Sequence, residues 1–326
     1  MKKILALILC ALCVVTMSVA CQKPEDSKFT LACPDGAPAI SAFAISENEN
    51  IDTTVYSSSE AVGAITALMS AGQVDFAILP INVATKTAKS GYTMLGVLTH
   101  GNLYGISKNE TNLDVNGLKG KKIGTIQIGA VPGFTIKSTL NNNGIQYVLD
   151  VSQLNANNVF ISGLDANKDA IVNALDASIV DVAIVAEPMC SMIVSSGNYN
   201  KCFALHELYG NYPQAVLMVK NSVLANNESA VKEVMRSFSS FEYENASGAQ
   251  IVNFINANMN NGATSTFKPV ALSFNAIAGS NIRFSLAKNE KQNVLSYIND
   301  LKDFNTGLGS VVEDVDDSFF YGGDID

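Results

Sequence analysis

The sequence predicts an α/β fold made of two units of mostly parallel sheet, the second inserted into the first. Three observations predict it. Short β-rich runs alternate with helical patterns from residue 29 to residue 219, a single strand-like run at 102–109 separates two such series, and the segments after residue 219 turn helical.

The first series reads as strands at 29–33, 52–56, 75–79 and 92–99. Between the second and third, Ala61, Val62, Ile65, Leu68 and Met69 fall on one face at helical spacing, and Gly72 stands where that helix should stop. Ser57 and Glu60 have capping-box spacing at its start. A turn-rich stretch at 112–122 leads into the second series: a strand at 123–127, a helix from 132 to 142 closed by Asn143-Gly144, a strand at 147–151, a helix at 167–175 and a strand at 180–186. Runs at 201–208 and 214–219 carry the chain back. Val231, Val234, Met235, Phe238 and Phe241 then form an amphipathic stripe, and residues 289–304 another. These helices are expected to cover the first unit, which is therefore built from both ends of the chain.

At the N-terminus, Met1-Lys2-Lys3 is a basic n-region and residues 4–15 an unbroken apolar run of signal-peptide length, too short to span a bilayer. Residues 16–21, ending Ser18-Val19-Ala20-Cys21, resemble the lipobox of bacterial lipoproteins, which makes Cys21 the candidate for lipidation. Ser18 departs from the Leu usual in that motif, and Ser18-Val19-Ala20 also satisfies a plain signal-peptidase site. Polar residues 22–27 read as a tether. The expected location is extracytoplasmic, on a bacterial membrane.

About 300 residues remain after cleavage, more than one ordinary domain holds. The net charge of −9 becomes more negative when Lys2 and Lys3 leave, which disfavours nucleic acid or an anionic lipid surface as a partner. Cys33, Cys190 and Cys202 stay in the fold without a Cys-x-x-Cys pair, and His100 and His206 are the only histidines, so neither a structural metal nor another cofactor is expected. An oxidising compartment allows a Cys190–Cys202 bridge, with buried free thiols as the favoured alternative.

Four segments, in order, resemble one family: Pro34-Asp35-Gly36-Ala37-Pro38-Ala39, Gly72-Gln73-Val74-Asp75-Phe76-Ala77-Ile78-Leu79-Pro80, Asp181-Val182-Ala183-Ile184-Val185-Ala186-Glu187-Pro188 and Tyr212-Pro213-Gln214-Ala215-Val216-Leu217-Met218-Val219. Leu118-Lys119-Gly120-Lys121-Lys122-Ile123-Gly124 is similar to the start of that family's second domain. The family is the nitrate/sulfonate/taurine and thiamine-pyrimidine type of ABC-transporter solute-binding protein, a type II periplasmic-binding-protein fold. The resemblance implies a two-lobed clamshell with its ligand between the lobes: a leader at 1–20, a lipidated tether at 21–27, one lobe from 28–104 and 209–326, and the other from 105–208. It implies a monomer, with a permease and an ATPase subunit as partners.

Ligands of open α/β sheets collect at the carboxyl ends of strands. The candidate ligand-binding residues are therefore Asp35, Gly36, Ala37, Ser57, Ser58, Ser59, Asn82 and His100 in the first lobe, with Thr99 beside them. In the second they are Gly129, Ala130, Val131 and Glu187. Each has a structural alternative: the serines as helix caps, residues 129–133 as a tight turn, Glu187 as the cap of its own helix. With Arg236 and Arg283 as the only arginines, a bidentate grip on an oxyanion is missing, which lowers sulfonate or nitrate and raises a neutral or cationic heterocycle such as a pyrimidine. Thiamine-pyrimidine synthases share the fold as enzymes, but two histidines and no Gly-x-Ser-x-Gly elbow leave catalysis without a visible centre. A lipid-anchored sensor or adhesion protein is the remaining alternative.

Overall fold

The computed structural model describes residues 28–263, 265–267, 272–305 and 310–326. The leader, Cys21 and the tether lie outside the described residues. In chain order the first half of the structure runs β1 (Phe29–Pro34), α1 (Ala37–Ala42), β2 (Ile51–Tyr56), α2 (Ala61–Ser70), β3 (Phe76–Pro80), α3 (Ile81–Thr87) and β4 (Tyr92–His100). An inserted half follows: β5 (Leu103–Ser107), β6 (Lys122–Ile126), α4 (Val131–Asn142), β7 (Gln146–Val148), β8 (Asn158–Leu164), α5 (Lys168–Asp176), β9 (Val182–Ala186), α6 (Met189–Val194) and β10 (Asn200–Ala204). After α7 (Leu205–Tyr209) come β11 (Pro213–Lys220), α8 (Asn221–Asn226), α9 (Glu228–Ser240), α10 (Gly248–Ala257), α11 (Phe274–Gly279), β12 (Ile282–Leu286) and α12 (Ala287–Lys302).

Two six-stranded sheets result, ordered β12-β4-β11-β3-β1-β2 and β10-β5-β9-β6-β8-β7. In the first, β1, β2, β3 and β4 run one way and β11 and β12 the other; in the second, only β5 opposes the rest. Every residue of β4 is buried, as expected of a strand covered on both faces. The chain leaves the first sheet between His100 and Leu103 and returns between Ala204 and Pro213, so its first and last portions build one sheet and its middle the other.

The helix read at 61–69 spans Ala61–Ser70 with Ala61, Ile65 and Met69 buried, but the capping box is not formed. Ser57 Oγ donates to the Glu60 carboxylate (3.0 Å) instead of accepting from its N–H, so the pair links side chain to side chain. Strands β8 and β12 are additions to the sequence reading. The run read at 201–208 is a strand only to Ala204 and then turns into α7.

α12 does more than cover the first sheet. Val294 and Leu301 are buried in its core, while Tyr297 Oη meets Thr135 Oγ1 of α4 at 2.6 Å and Phe304 stacks on Phe134 of α4 at 5.3 Å. Tyr297 also stacks on Tyr212 at 5.5 Å, so this helix braces both halves beside the point where they join.

Among the described residues Cys33, Cys190 and Cys202 are free and buried, and burial raises each thiol well above its ordinary range. That matches the favoured reading over the bridge. No helix among the described residues is long and apolar enough to cross a membrane.

Candidate functional site

The ends of β3 and β4 meet across β11: Thr99 pairs with Ala215, and Ala215 with Pro80. Asn82 therefore follows one strand end and His100 and Asn102 the other, at the place where α/β sheets collect ligands. The crossing between the halves is pinned by backbone groups. His100 N–H donates to Asn281 O (3.1 Å), Asn102 N–H to Gln214 Oε1 (3.2 Å), and Glu187 N–H to Asn102 O (3.0 Å). Gly101 between them is a steric requirement, since a Cβ there would lie 2.6 Å from the Tyr212 ring and 2.7 Å from His206 Cβ.

Polar atoms gather at this crossing without partners. Asn82 Oδ1, Thr99 Oγ1, His100 Nδ1, both side-chain heteroatoms of Asn102 and His206 Nδ1 are buried and make no hydrogen bond within the chain. Thr99, His100, Asn102 and Tyr212 are fully buried residues and Asn82 nearly so. Buried polar groups are normally paired, and leaving one dry costs about 1–3 kcal/mol. A cluster of them at strand ends points to a guest, either ligand or water.

The two imidazoles of the site are held toward their neutral form. Burial lowers the pKa of His100, opposed by its hydrogen bond to Glu290, and burial likewise lowers that of His206. His100 Nε2 lies 3.4 Å from Glu290 Oε1, so the neutral ring carries its proton there and Nδ1 is left as a bare acceptor. The same hydrogen bond is the main cause that holds Glu290 down at about 2.

These shifts give stability an acid limb in two windows. A histidine whose folded pKa is lowered contributes stability above its unfolded value of 6.5, and loses it as the pH falls through the values the two states take. Glu290, depressed from 4.5, contributes fully above 4.5 and loses its share between 4.5 and about 2. Thermal melts are expected to fall from pH 7 to pH 5; His100→Gln with His206→Gln should flatten that window and also shrink the lower one, because His100 is the main partner that depresses Glu290. An unchanged slope in the double variant would contradict the histidine assignment.

Of the residues read from sequence, Asn82 and His100 come to this crossing. Asp35 is 5% exposed and its carboxylate is saturated: it accepts from Gly36 N–H (2.9 Å), Ser265 Oγ (3.0 Å), Thr266 N–H (2.9 Å) and Thr266 Oγ1 (2.9 Å). It fastens the 265–267 segment to the end of β1, so its acceptors are engaged within the chain. Gly36, at a φ of 110°, turns the chain into α1, and Ala37 is buried under it. Ser58 Oγ donates to Asp35 O (3.3 Å), while Ser57 and Ser59 face each other at 3.4 Å. Gly129 is open, Ala130 caps α4 through its backbone, and Val131 is buried.

Glu187 is likewise engaged within the chain, in the helix-capping role given as its alternative. It is 2% exposed and accepts from Ser191 N–H (2.9 Å), Ser191 Oγ (2.9 Å) and Lys201 Nζ (3.0 Å). Lys201 lies over the Tyr104 ring at 3.7 Å, and Tyr104 Oη donates to Gly279 O (2.8 Å). Because a Cβ on Gly279 would meet Glu187 Oε1 at 3.0 Å, α11 rests directly on this network. Glu187 thus joins the inserted half to the other half.

Sequence reasoning did not single out Asn102, His206 or Tyr212 for the site. The available signal was position: Asn102 follows a strand end by two residues, but it opens a run that reads as a strand crossing between the two series. A separate concavity of about 700 Å³ lies on the outside, between residues 44–50 and the end of α9, and is lined by Glu47, Glu49, Glu233 and Glu242 among others. It contains none of the unpartnered buried atoms, so the crossing carries the stronger chemical case. No group of three or more His, Cys, Asp or Glu that could hold a metal occurs among the described residues.

The family model "NMT1/THI5 like" matches residues 47–240. Among curated proteins no relative matches the sequence. Among solved structures, an ABC transporter protein from Parabacteroides distasonis superposes with a TM-score of 0.65 at 16% identity, covering 92% of this chain and 100% of that one. The ligand-binding component of an ABC-type import system from Staphylococcus aureus, with zinc bound, gives 0.56 at 10% identity over 84% and 91%. The periplasmic aliphatic sulphonate binding protein of Escherichia coli gives 0.56 at 12% identity over 84% and 88%. At these identities the likeness establishes a shared fold, the periplasmic-binding-protein fold.

Proposed function

The chain belongs to the NMT1/THI5-like family, and on that premise we propose that it is the extracytoplasmic solute-binding component of an ABC importer. It closes on a small molecule between two lobes and presents the closed form to a permease and its ATPase. The observation that carries this reading is the set of buried, unpartnered polar atoms on Thr99, His100, Asn102 and His206 at the crossing. A ligand seated there supplies the missing partners.

In this reading residues 28–104 and 209–326 form one lobe and 105–208 the other, and the strand membership of the two sheets supports the division, with β5 carrying Leu103 and Tyr104 to the inserted side. Asn82, Ser58 and Ser59 rim the cleft from one side and Gly129, Ala130 and Val131 from the other. The leader at 1–20, lipidation at Cys21 and the tether at 22–27 suit a monomer held beside its permease. The fold shared with proteins named as parts of ABC transporters supports import. Binding without turnover suits a site whose polar groups, apart from the two imidazoles, are amides and hydroxyls, with one imidazole tied to Glu290.

The test is a thermal-shift screen of the purified mature chain against pyrimidines, sulfonates, nitrate, amino acids and amides. A ligand at a hundred times its dissociation constant adds about 2.7 kcal/mol to stability. One clear hit, unchanged chemically after incubation, is the expected result. Turnover of the hit would replace binding by catalysis, and a folded protein that no member of the panel stabilises would count against the proposal.

A further inference from the structure

Resting on the solute-binding reading above, we infer that Asn102 selects the ligand, and that it selects an uncharged molecule presenting an adjacent N–H donor and carbonyl acceptor: the edge of an amide, lactam or imide. The backbone of Asn102 is fixed at both groups, its N–H by Gln214 and its carbonyl by Glu187. Its side chain is held in a fully buried position, yet neither Oδ1 nor Nδ2 has a partner. The carboxamide forms no turn, cap or cross-strand bond, so nothing within the chain accounts for a polar residue there. Leucine, of similar size, would fill the same space without stranding two polar atoms.

The surroundings argue against an anionic complement. His100 is neutral with Nδ1 as a bare acceptor, which repels an oxyanion and calls for a donor. Lys201 is committed to Glu187 and the Tyr104 ring, and Arg283 to Asn281 Oδ1 at 2.6 Å. No free cation among these neighbours answers a sulfonate or carboxylate. A carboxamide pairs in two coplanar hydrogen bonds with an amide edge, and an imide or urea adds the further N–H that Nδ1 can accept.

The experiment compares the wild-type chain with Asn102→Leu, using succinimide, 2-pyrrolidinone and urea as probes against methanesulfonate. Asn102→Leu is expected to melt several degrees higher than wild type without ligand and to bind the amide-edge probes at least tenfold more weakly. A lower melting temperature would overturn the inference, because the carboxamide then serves the fold or a resident water. Undiminished amide binding by the variant would also overturn it, as would wild-type binding of methanesulfonate in preference to the amides; in both cases the solute-binding reading stands. Wild-type silence toward all the amide probes at millimolar concentration removes the selection rule, whereas the wider reading falls only with the full panel. If Asn102→Leu does not fold, Asn102→Ala read with the same probes decides between the same outcomes.

Discussion

Replacing Asp35 by alanine is expected to lower the unfolding free energy by about 3 kcal/mol, at the upper end of what one lost buried partner costs. The carboxylate closes β1 and receives two backbone N–H groups and two hydroxyls, and its partners Ser265 and Thr266 lie far along the chain. Alanine leaves the Thr266 N–H without an acceptor and frees the 265–267 segment from the end of β1. Asparagine keeps one acceptor oxygen and should recover part of the loss. Urea unfolding checks this through the midpoint at constant slope. A change below about 1 kcal/mol would mean that the segment does not depend on Asp35.

The second large effect is expected at Gly133. An alanine Cβ there would lie 2.0 Å from Ile128 O and 2.4 Å from its carbonyl carbon, contacts that backbone cannot absorb by rotating a side chain. Either the first turn of α4 or the 127–130 loop must move, at a cost of about 3 kcal/mol by the usual scale of overpacking. The same displacement moves Gly129, Ala130 and Val131, so affinity for the ligand found in the screen should fall at least tenfold. Gly129→Ala is the control for stability, because a Cβ at that position meets nothing within 4 Å. Equal stability of the two variants would show that the loop adapts freely and that Gly133 is a matter of local turn only.

Much of the fold was legible because it is written in period. Ala61, Ile65 and Met69 announce a helix face, and Val231, Val234, Met235 and Phe238 another, and the structure buries all seven. β8 was not legible: its Val-Phe-Ile core is short, follows an asparagine-rich turn and ends in Ser162-Gly163, which together read as loop. β12 is five half-exposed residues between helices, so its pairing with β4 depends on tertiary contact rather than on pattern. The site was legible as a location and not as a roster. Strand ends pointed to Asn82 and His100, but they pointed equally to Asp35 and Glu187, whose acceptors are taken by Thr266 and by Lys201. Which carboxylates are spent inside the fold depends on partners hundreds of residues away or on the next strand. Asn102 escaped for the converse reason, since its importance lies in bonds it does not make.

The central claim, that a small molecule seats at the crossing, is tested most directly by the nitrogen resonances of the two histidines. His100 and His206 are the whole histidine complement, so their side-chain signals are few and assignable by single substitution. Adding the stabilising ligand should shift His100 Nδ1 in the direction of a nitrogen that has begun to accept a hydrogen bond, while Nε2 keeps its proton toward Glu290. Unmoved imidazole signals, with amide shifts gathered instead around Glu47, Glu233 and Glu242, would place the ligand on the outer concavity and contradict the account.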